Sequence, residues 1–347
     1  MPGDSLKPEQ TRMFAESGEA GQVVAGQAGA CGAVLSDLGA LLRALAPRLV
    51  LTVARGSSDH AATYAKYLIE TRLGVTVSSY APSVSSVYRA AASLKGAVCL
   101  AISQSGRSPD ILAAADAAKS GGAVLIALVN VDSAPLAQRA DFVLPLGAYP
   151  ETSVAATKSY LASVAMIARI VSVWSEDVRL ATALEALPGA LDTAWSLDWT
   201  PALGVIAARH HSFVIGRGLG LSVAQEAALK FKETCQLHAE AYSAAEVMHG
   251  PAAIIDAGFP ILAFSQDDET RPGLMRTIDQ LVSVGARVLL AGGSHKTAVV
   301  LPTASSVPAL DPIVQAQSFY RLANRLSVDL GLDPDAPPNL SKVTETV

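Results

Sequence analysis

The sequence predicts an α/β protein built as two tandem, doubly wound parallel-sheet units. Three observations lead there. The first is an internal repeat. Residues 48–70 (RLVLTVARGSSDHAATYAKYLIE) and 210–233 (HHSFVIGRGLGLSVAQEAALKFKE) each run from an apolar strand through Arg-Gly into a helical pattern. Arg55-Gly56 matches Arg217-Gly218 at an offset of 162, and Ala101–Gln104 matches Ala263–Gln266 at the same offset. The second is alternation. Short continuous apolar runs alternate with helical patterns in both copies, as in a parallel sheet covered on both faces. The third is capacity. The chain has 347 residues, of which 50% are hydrophobic and 16% charged; that is enough apolar material for two cores and excludes wholesale disorder.

Each element follows from local pattern. Residues 1–45 are Ala-rich and read as an N-terminal helical arm. The first unit spans 46–185, with strands at 49–54, 75–80, 97–102, 123–129 and 142–146. A helical connector covers 175–209. The second unit spans 186–330, with strands at 212–216, 260–265, 286–291 and 298–301 and a last helix at about 312–330. Residues 331–347 (LDPDAPPNLSKVTETV after Gly331) are Pro-rich and read as an extended tail. In such sheets ligands sit beyond the carboxyl ends of the strands. Arg55–Ser58, Ser103–Ser108 and Gly216–Gly220 fall there.

Charge and cysteine usage narrow the function. The net charge is −5 and aromatics are 5%, a poor match to a nucleic-acid binder, which needs a basic surface. Cys31, Cys99 and Cys235 form no CxxC pair, so neither a zinc knuckle nor a disulfide framework is indicated. No basic-then-apolar leader is seen, and no apolar run approaches the roughly 20 residues of a membrane span. The expectation is a soluble cytoplasmic protein with no membrane partner.

Both loops of the first copy suit a phosphate monoester. Gly56-Ser57-Ser58 and Ser103-Gln104-Ser105-Gly106-Arg107-Ser108 each leave a strand and enter a helix. Backbone N–H groups and the positive helix end attract an anion there, and serine hydroxyls donate to it. For one loop alone, helix capping by serine explains the residues as well; two such loops on one sheet edge favour the anion. Arg107 is expected to face solvent. In the second copy the matching loops are Gly218-Leu219-Gly220 and Ser265-Gln266-Asp267-Asp268-Glu269, whose carboxylates repel phosphate. Gly216–Gly220 is a poor dinucleotide loop, lacking the third glycine. There is no GxSxG elbow and no Walker-type run.

The second copy carries charge elsewhere. Glu226, Lys230 and Glu233 share one helix face at i, i+4 and i+7. Such spacing commonly means a solvated salt-bridge ladder, but Ala227, Ala228, Leu229 and Phe231 make this helix apolar. His238, Glu240, Glu246 and His249 follow, ending His249-Gly250-Pro251. Glu246 and His249 at i, i+3 are a weak metal pattern. A Glu beside a Lys with a nearby His suits metal-free proton transfer on a carbonyl compound.

These motifs resemble the sugar isomerase (SIS) domain pair that forms the isomerase half of glucosamine-6-phosphate synthase, over about residues 45–347. ARGSSDHAATYAKYLIE, AISQSGRSPD, ETSVAATKSY, QEAALKFKETCQLHAEAYSAAEVMHGP and NLSKVTETV are similar to five motifs of that family, in its order. The resemblance implies two tandem SIS-type, flavodoxin-like units. It implies that Gly56, Ser57, Ser58, Ser103, Gln104, Ser105 and Ser108 surround a sugar 6-phosphate, with Val154 and Ala155 backing the substrate. Glu233 would move the proton between C1 and C2. Lys230 would steady the developing charge, with Glu226 supporting it; His249 would assist ring opening. Lys342 would close over the sugar and meet its carbonyl end. The family's active site lies at a dimer interface, so a homodimer is implied, with no metal and no cofactor.

The synthase's glutaminase domain has no counterpart in the roughly 45 leading residues, where position 2 is Pro2, so glutamine is not expected as nitrogen donor. With Arg-Ser-Pro-Asp after Ser-Gln-Ser-Gly, the chain resembles stand-alone SIS-type glucosamine-6-phosphate deaminases. The expected reaction converts glucosamine 6-phosphate to fructose 6-phosphate and ammonia. Galactosamine 6-phosphate, a fructosamine 6-phosphate adduct, the reverse ammonia-dependent synthesis, and a non-enzymatic sugar-phosphate sensor are the alternatives.

Overall fold

A computed structural model describes residues 6–342. It contains two five-stranded, all-parallel sheets. The first comprises β1 (Leu49–Val53), β2 (Thr76–Ser79), β3 (Val98–Ser103), β4 (Val124–Val129) and β5 (Phe142–Pro145), in the order β2-β1-β3-β4-β5. The second comprises β6 (His211–Gly216), β7 (His238–Ser243), β8 (Pro260–Phe264), β9 (Arg287–Ala291) and β10 (Val299–Leu301), in the order β10-β9-β8-β6-β7. Read from β7, the second order reproduces the first, so the duplication seen in sequence is a duplication of topology. In both, the order reverses beside the first strand of the copy, which leaves a crevice at the carboxyl ends of β1 and β3, and of β6 and β8.

β7 is the element missing from the sequence reading. HAEAYS places His238 and Glu240 among apolar residues, so it lacks the continuous apolar run of an inner strand. It lies at the sheet edge, pairing with β6 alone from His211↔His238 to Gly216↔Ser243. Phe213 of β6 packs edge-on to Tyr242, with ring centroids 5.0 Å apart.

Two compact units account for the chain, interleaved rather than strictly sequential. One holds β1–β5 with residues 22–151, 158–186 and the described tail from Ser341. The other holds β6–β10 with the described residues up to Gly21, residues 152–157 and Leu187–Leu340. The N-terminal arm is therefore divided between them. Met13 in the second unit is fully buried, and its backbone N–H donates to Asp335 at 2.8 Å.

The helix Ala20–Leu45 packs its stripe of Cys31, Leu35, Leu38 and Leu42 into the first unit. Buried Gln27 donates to the Leu146 and Ala162 carbonyls at 3.2 and 2.9 Å. By length and composition this helix is apolar enough to cross a membrane, which corrects the expectation that no run reaches that size. The face away from the core carries mainly small Ala and Gly residues. Alternate residues of β1, β3 and β4 build the first core with the helix Pro109–Ser120; Phe213, Ile215, Ile261, Ala263, Val288 and Leu290 build its counterpart against Leu274, Ile278 and Leu281.

Candidate active site

The hydroxyl-rich loops emerge side by side in the first unit, because β1 and β3 are hydrogen-bonded neighbours. Gly56 initiates the helix Ser57–Leu73 at φ 55°, ψ −133°, a conformation open to glycine only. The helix N-terminus is thereby turned at the sheet edge with Ser57 and Ser58 half-buried in its first turn. In the second loop the buried Ser103 hydroxyl accepts from the Gly106 N–H at 3.1 Å. Gly106 has φ 62°, and a Cβ there would lie 2.7 Å from the Ala134 Cβ. Gln104 and Ser105 are half-buried; Arg107 is exposed. Ser108 stands at the N-cap of the helix Pro109–Ser120, yet its hydroxyl makes no capping bond. Capping therefore does not account for this serine.

An ion pair with a buried carboxylate fastens one loop to the other. Arg55 Nε donates to Asp110 Oδ2 at 3.0 Å, with an Arg55 terminal nitrogen 2.9 Å from the same oxygen. Asp110 is 2% exposed and Arg55 about half exposed. Burial raises the Asp59 carboxyl in the first helical turn above the ordinary carboxylate range, opposed by His60 and Arg55.

The turn after β5 is held at two points. Within the second unit, Glu16 accepts from the Thr152 hydroxyl at 2.9 Å and the Ser153 N–H at 3.1 Å. This fixes the bend carrying Val154, half-buried, and Ala155, buried. Within the first unit, Glu151 faces the start of the helix Lys158–Ser175. Its carboxylate accepts from the Ser159 N–H at 3.1 Å and the Ser159 hydroxyl at 2.6 Å. Lys342 of the tail joins it, Nζ to Oε2 at 2.9 Å. Glu151 did not emerge from the sequence; its only signal was its place at the head of ETSVAATKSY.

In the second unit the helix Gly220–Cys235 carries the charged triad. Lys230 and Glu226 are fully buried, while Glu233 is 20% exposed. The Lys230 ammonium bonds the Glu233 carboxylate and lies 3.4 Å from Glu226 Oε1. Tyr320, from the helix Asp311–Asp329, donates to the same Glu226 oxygen at 3.0 Å. This is not a solvated ladder. Desolvation works to lower the Lys230 pKa, but Glu226 and then Glu233 outweigh it, and the ammonium is held above its ordinary value. Applying the offset of 162, the first unit has Tyr64, Leu68 and Thr71 at these three positions. Serine-rich loops and buried charges have thus been divided between the two copies.

The second unit's counterpart to the Ser103–Ser108 loop is closed on itself. The Gln266 amide donates to Arg217 O at 2.6 Å, Thr270 Oγ1 at 2.9 Å and Asp268 Oδ2 at 3.1 Å. His249 is exposed after the short helix Ala244–Val247, ahead of Gly250 at φ 142°. Among the described residues no cluster of three or more His, Cys, Asp or Glu could hold a metal ion, and Glu246 lies exposed.

The SIS domain family model matches residues 46–172 and 205–297. Glutamine–fructose-6-phosphate aminotransferase (isomerizing) from Sulfurisphaera tokodaii is 34% identical over 301 residues, covering 84% of this chain and 49% of that protein. The chain spans about half the length of the curated relatives it matches. Among solved structures, a protein from Silicibacter pomeroyi DSS-3 assigned as a phosphosugar isomerase superposes with a TM-score of 0.90 at 43% identity, covering 94% of this chain and all of that one. The C-terminal domain of glucosamine-fructose-6-phosphate aminotransferase from Francisella tularensis superposes with a TM-score of 0.83 at 25% identity, covering 94% and 98%.

Proposed function

The chain belongs to the SIS domain family, a sugar-phosphate isomerase type of enzyme, and on that premise we propose that it is a glucosamine-6-phosphate deaminase. The observation that carries the reading is the buried Glu226–Lys230–Glu233 triad, in which only Glu233 reaches solvent. A phosphate sensor has no need of an ammonium buried between two carboxylates, which is costly to assemble. A general base, by contrast, needs a fixed carboxylate with one oxygen open to substrate.

In this reading Ser57, Ser58, Ser103, Gln104, Ser105 and Ser108 bind the 6-phosphate, and that remote anchor positions C1 and C2. His249, supplied by the neighbouring subunit of a homodimer, assists ring opening of the bound sugar. Glu233 takes the C2 proton of the open-chain amino aldehyde and returns it to C1, leaving an imine at C2. Lys230 keeps the Glu233 carboxylate in place and offsets the negative charge that develops. Water adds to the imine carbon, and ammonia leaves, giving fructose 6-phosphate. Atoms balance as one amino sugar phosphate plus one water. Val154 and Ala155 back the sugar, and Lys342 meets its carbonyl end. The Arg-Ser-Pro-Asp run after Ser-Gln-Ser-Gly supports deamination over synthesis. The protein is proposed to act in the cytoplasm without nucleic-acid or membrane partners.

The test is Glu233→Gln. It is expected to retain sugar-phosphate binding and lose deamination by at least about a hundredfold, the range for a positioned base. Full activity in this variant would remove Glu233 from its role. Comparing kcat/KM for glucosamine 6-phosphate, galactosamine 6-phosphate and a fructosamine 6-phosphate adduct ranks the sugars.

A further inference from the structure

We infer that Glu151 is a positioning residue that docks the C-terminal tail by holding Lys342 at its carbonyl-facing station, an inference that rests on the proposed role of Lys342. The geometry comes from three directions. Glu151 has a fully buried side chain, and Lys342 is 23% exposed. Glu151 Oε2 receives both the Lys342 ammonium at 2.9 Å and the Ser159 hydroxyl at 2.6 Å, while Oε1 takes the Ser159 N–H at 3.1 Å. Ser159 is the second residue of the 18-residue helix Lys158–Ser175, so this carboxylate also faces the positive end of a long helix.

A buried carboxylate is expensive unless its oxygens are matched. Here the match is asymmetric. Ser159 is fixed within the long helix Lys158–Ser175 and bonds both Glu151 oxygens. Lys342 follows a segment that turns at 334–336 and again at Asn339, which has φ 63°, so the tail is not the extended run expected from its prolines; Asn339, Leu340 and Ser341 are exposed. The fixed partner therefore orders the loose one. Lysine carries large side-chain entropy, and a preset carboxylate keeps that ordering in place before substrate arrives. Glu151 itself touches no reacting atom in this scheme. It acts through Lys342.

The test uses trypsin, which cleaves after Lys342 only when that side chain leaves its partner. Intact-mass spectrometry follows loss of the residues beyond it in the full-length protein under native conditions. Glu151→Gln is expected to speed this cleavage about tenfold, within the range of coupling between contacting residues. Ser159→Ala, which keeps the charge but loses one of its donors, is expected to speed it about threefold, and it tests the idea even if Glu151→Gln does not fold. Glu151→Asp is expected to fall between wild type and Glu151→Gln.

On turnover, Glu151→Gln is expected to lower kcat about tenfold with KM for the sugar phosphate within twofold, because the phosphate anchor is untouched. In a Lys342→Met background it should lower kcat no further. Unchanged cleavage in both Glu151→Gln and Ser159→Ala overturns the inference. So does an additive kcat loss in the double variant. If the wild-type protein turns over no amino sugar phosphate, the functional reading fails, and the cleavage rates still decide whether Glu151 docks the tail.

Discussion

The Lys230 ammonium and the Glu233 carboxylate bond to each other across one helical turn, the lysine fully buried and the glutamate at the solvent edge. That arrangement divides the triad. Glu226 balances the lysine from inside the protein, and Glu233 keeps a face open to solvent.

Lys230→Met leaves two carboxylates without their shared cation. It is expected to destabilise the fold by about 3–5 kcal/mol, the cost of breaking a buried pair from one side. Adding Glu226→Gln removes the more deeply buried of the two charges, so the double variant recovers part of the loss. Thermal or urea unfolding of the three proteins checks this. A double variant less stable than Lys230→Met contradicts the charge balance drawn here.

Tyr320→Phe removes the hydroxyl that donates to Glu226 at 3.0 Å. A hydrogen bond to a charged group contributes about 1.5–3 kcal/mol, and urea unfolding should register a loss of that order. Activity should fall far less than in Glu233→Gln, because the Tyr320 hydroxyl bonds the inner carboxylate and not Glu233 itself.

Ser108→Ala separates a cap from a ligand. A capping serine costs about 1 kcal/mol when removed. Ser108 makes no capping bond, so stability should hold within about 0.5 kcal/mol while KM for the sugar phosphate rises. Loss of stability with unchanged KM would return Ser108 to the helix cap and weaken the phosphate reading.

Asp311 is expected to shape the acid limb of stability. Burial, reinforced by Asp267 and Asp268, pushes its carboxyl from 3.8 up to about 6, against the Asp267 N–H and Arg271. The folded state therefore holds this proton more tightly than the unfolded state. The stabilisation is complete below about pH 4 and is lost as pH rises through about 6. Discounted for partial solvent screening, the change is about 1–2 kcal/mol. Asp311→Asn should remove it: the variant gains on the wild type between pH 4 and 7 when both are unfolded in urea. A constant difference across that range contradicts the shift.

Much of this fold was legible in the sequence because duplication made it so. Arg55-Gly56 and Arg217-Gly218 fixed the offset, and continuous apolar runs marked nine of the ten strands. β7 escaped because an edge strand tolerates His238 and Glu240. Yet the same offset carries 76–79 onto 238–241, inside β7, so the repeat itself held the missing signal. The charged triad was visible as spacing, but its burial was not; that depends on packing under Tyr320, 90 residues further along the chain than Lys230. Glu151 was illegible for the same reason. Its meaning arises only when Lys342, distant in sequence, arrives at its carboxylate. Apolar composition also misled once: Ala20–Leu45 is apolar enough for a membrane span although its Leu and Val residues are spread along the helix and do not form one run.

The most direct test is a single assay of the purified protein, with chelator present, on glucosamine 6-phosphate. Ammonia and fructose 6-phosphate are measured together. Release of both in equal amounts, lost in Glu233→Gln, is the predicted result. Binding of the sugar phosphate without release of either product, from this or any other hexosamine 6-phosphate, would contradict the deaminase reading and favour a sugar-phosphate sensor.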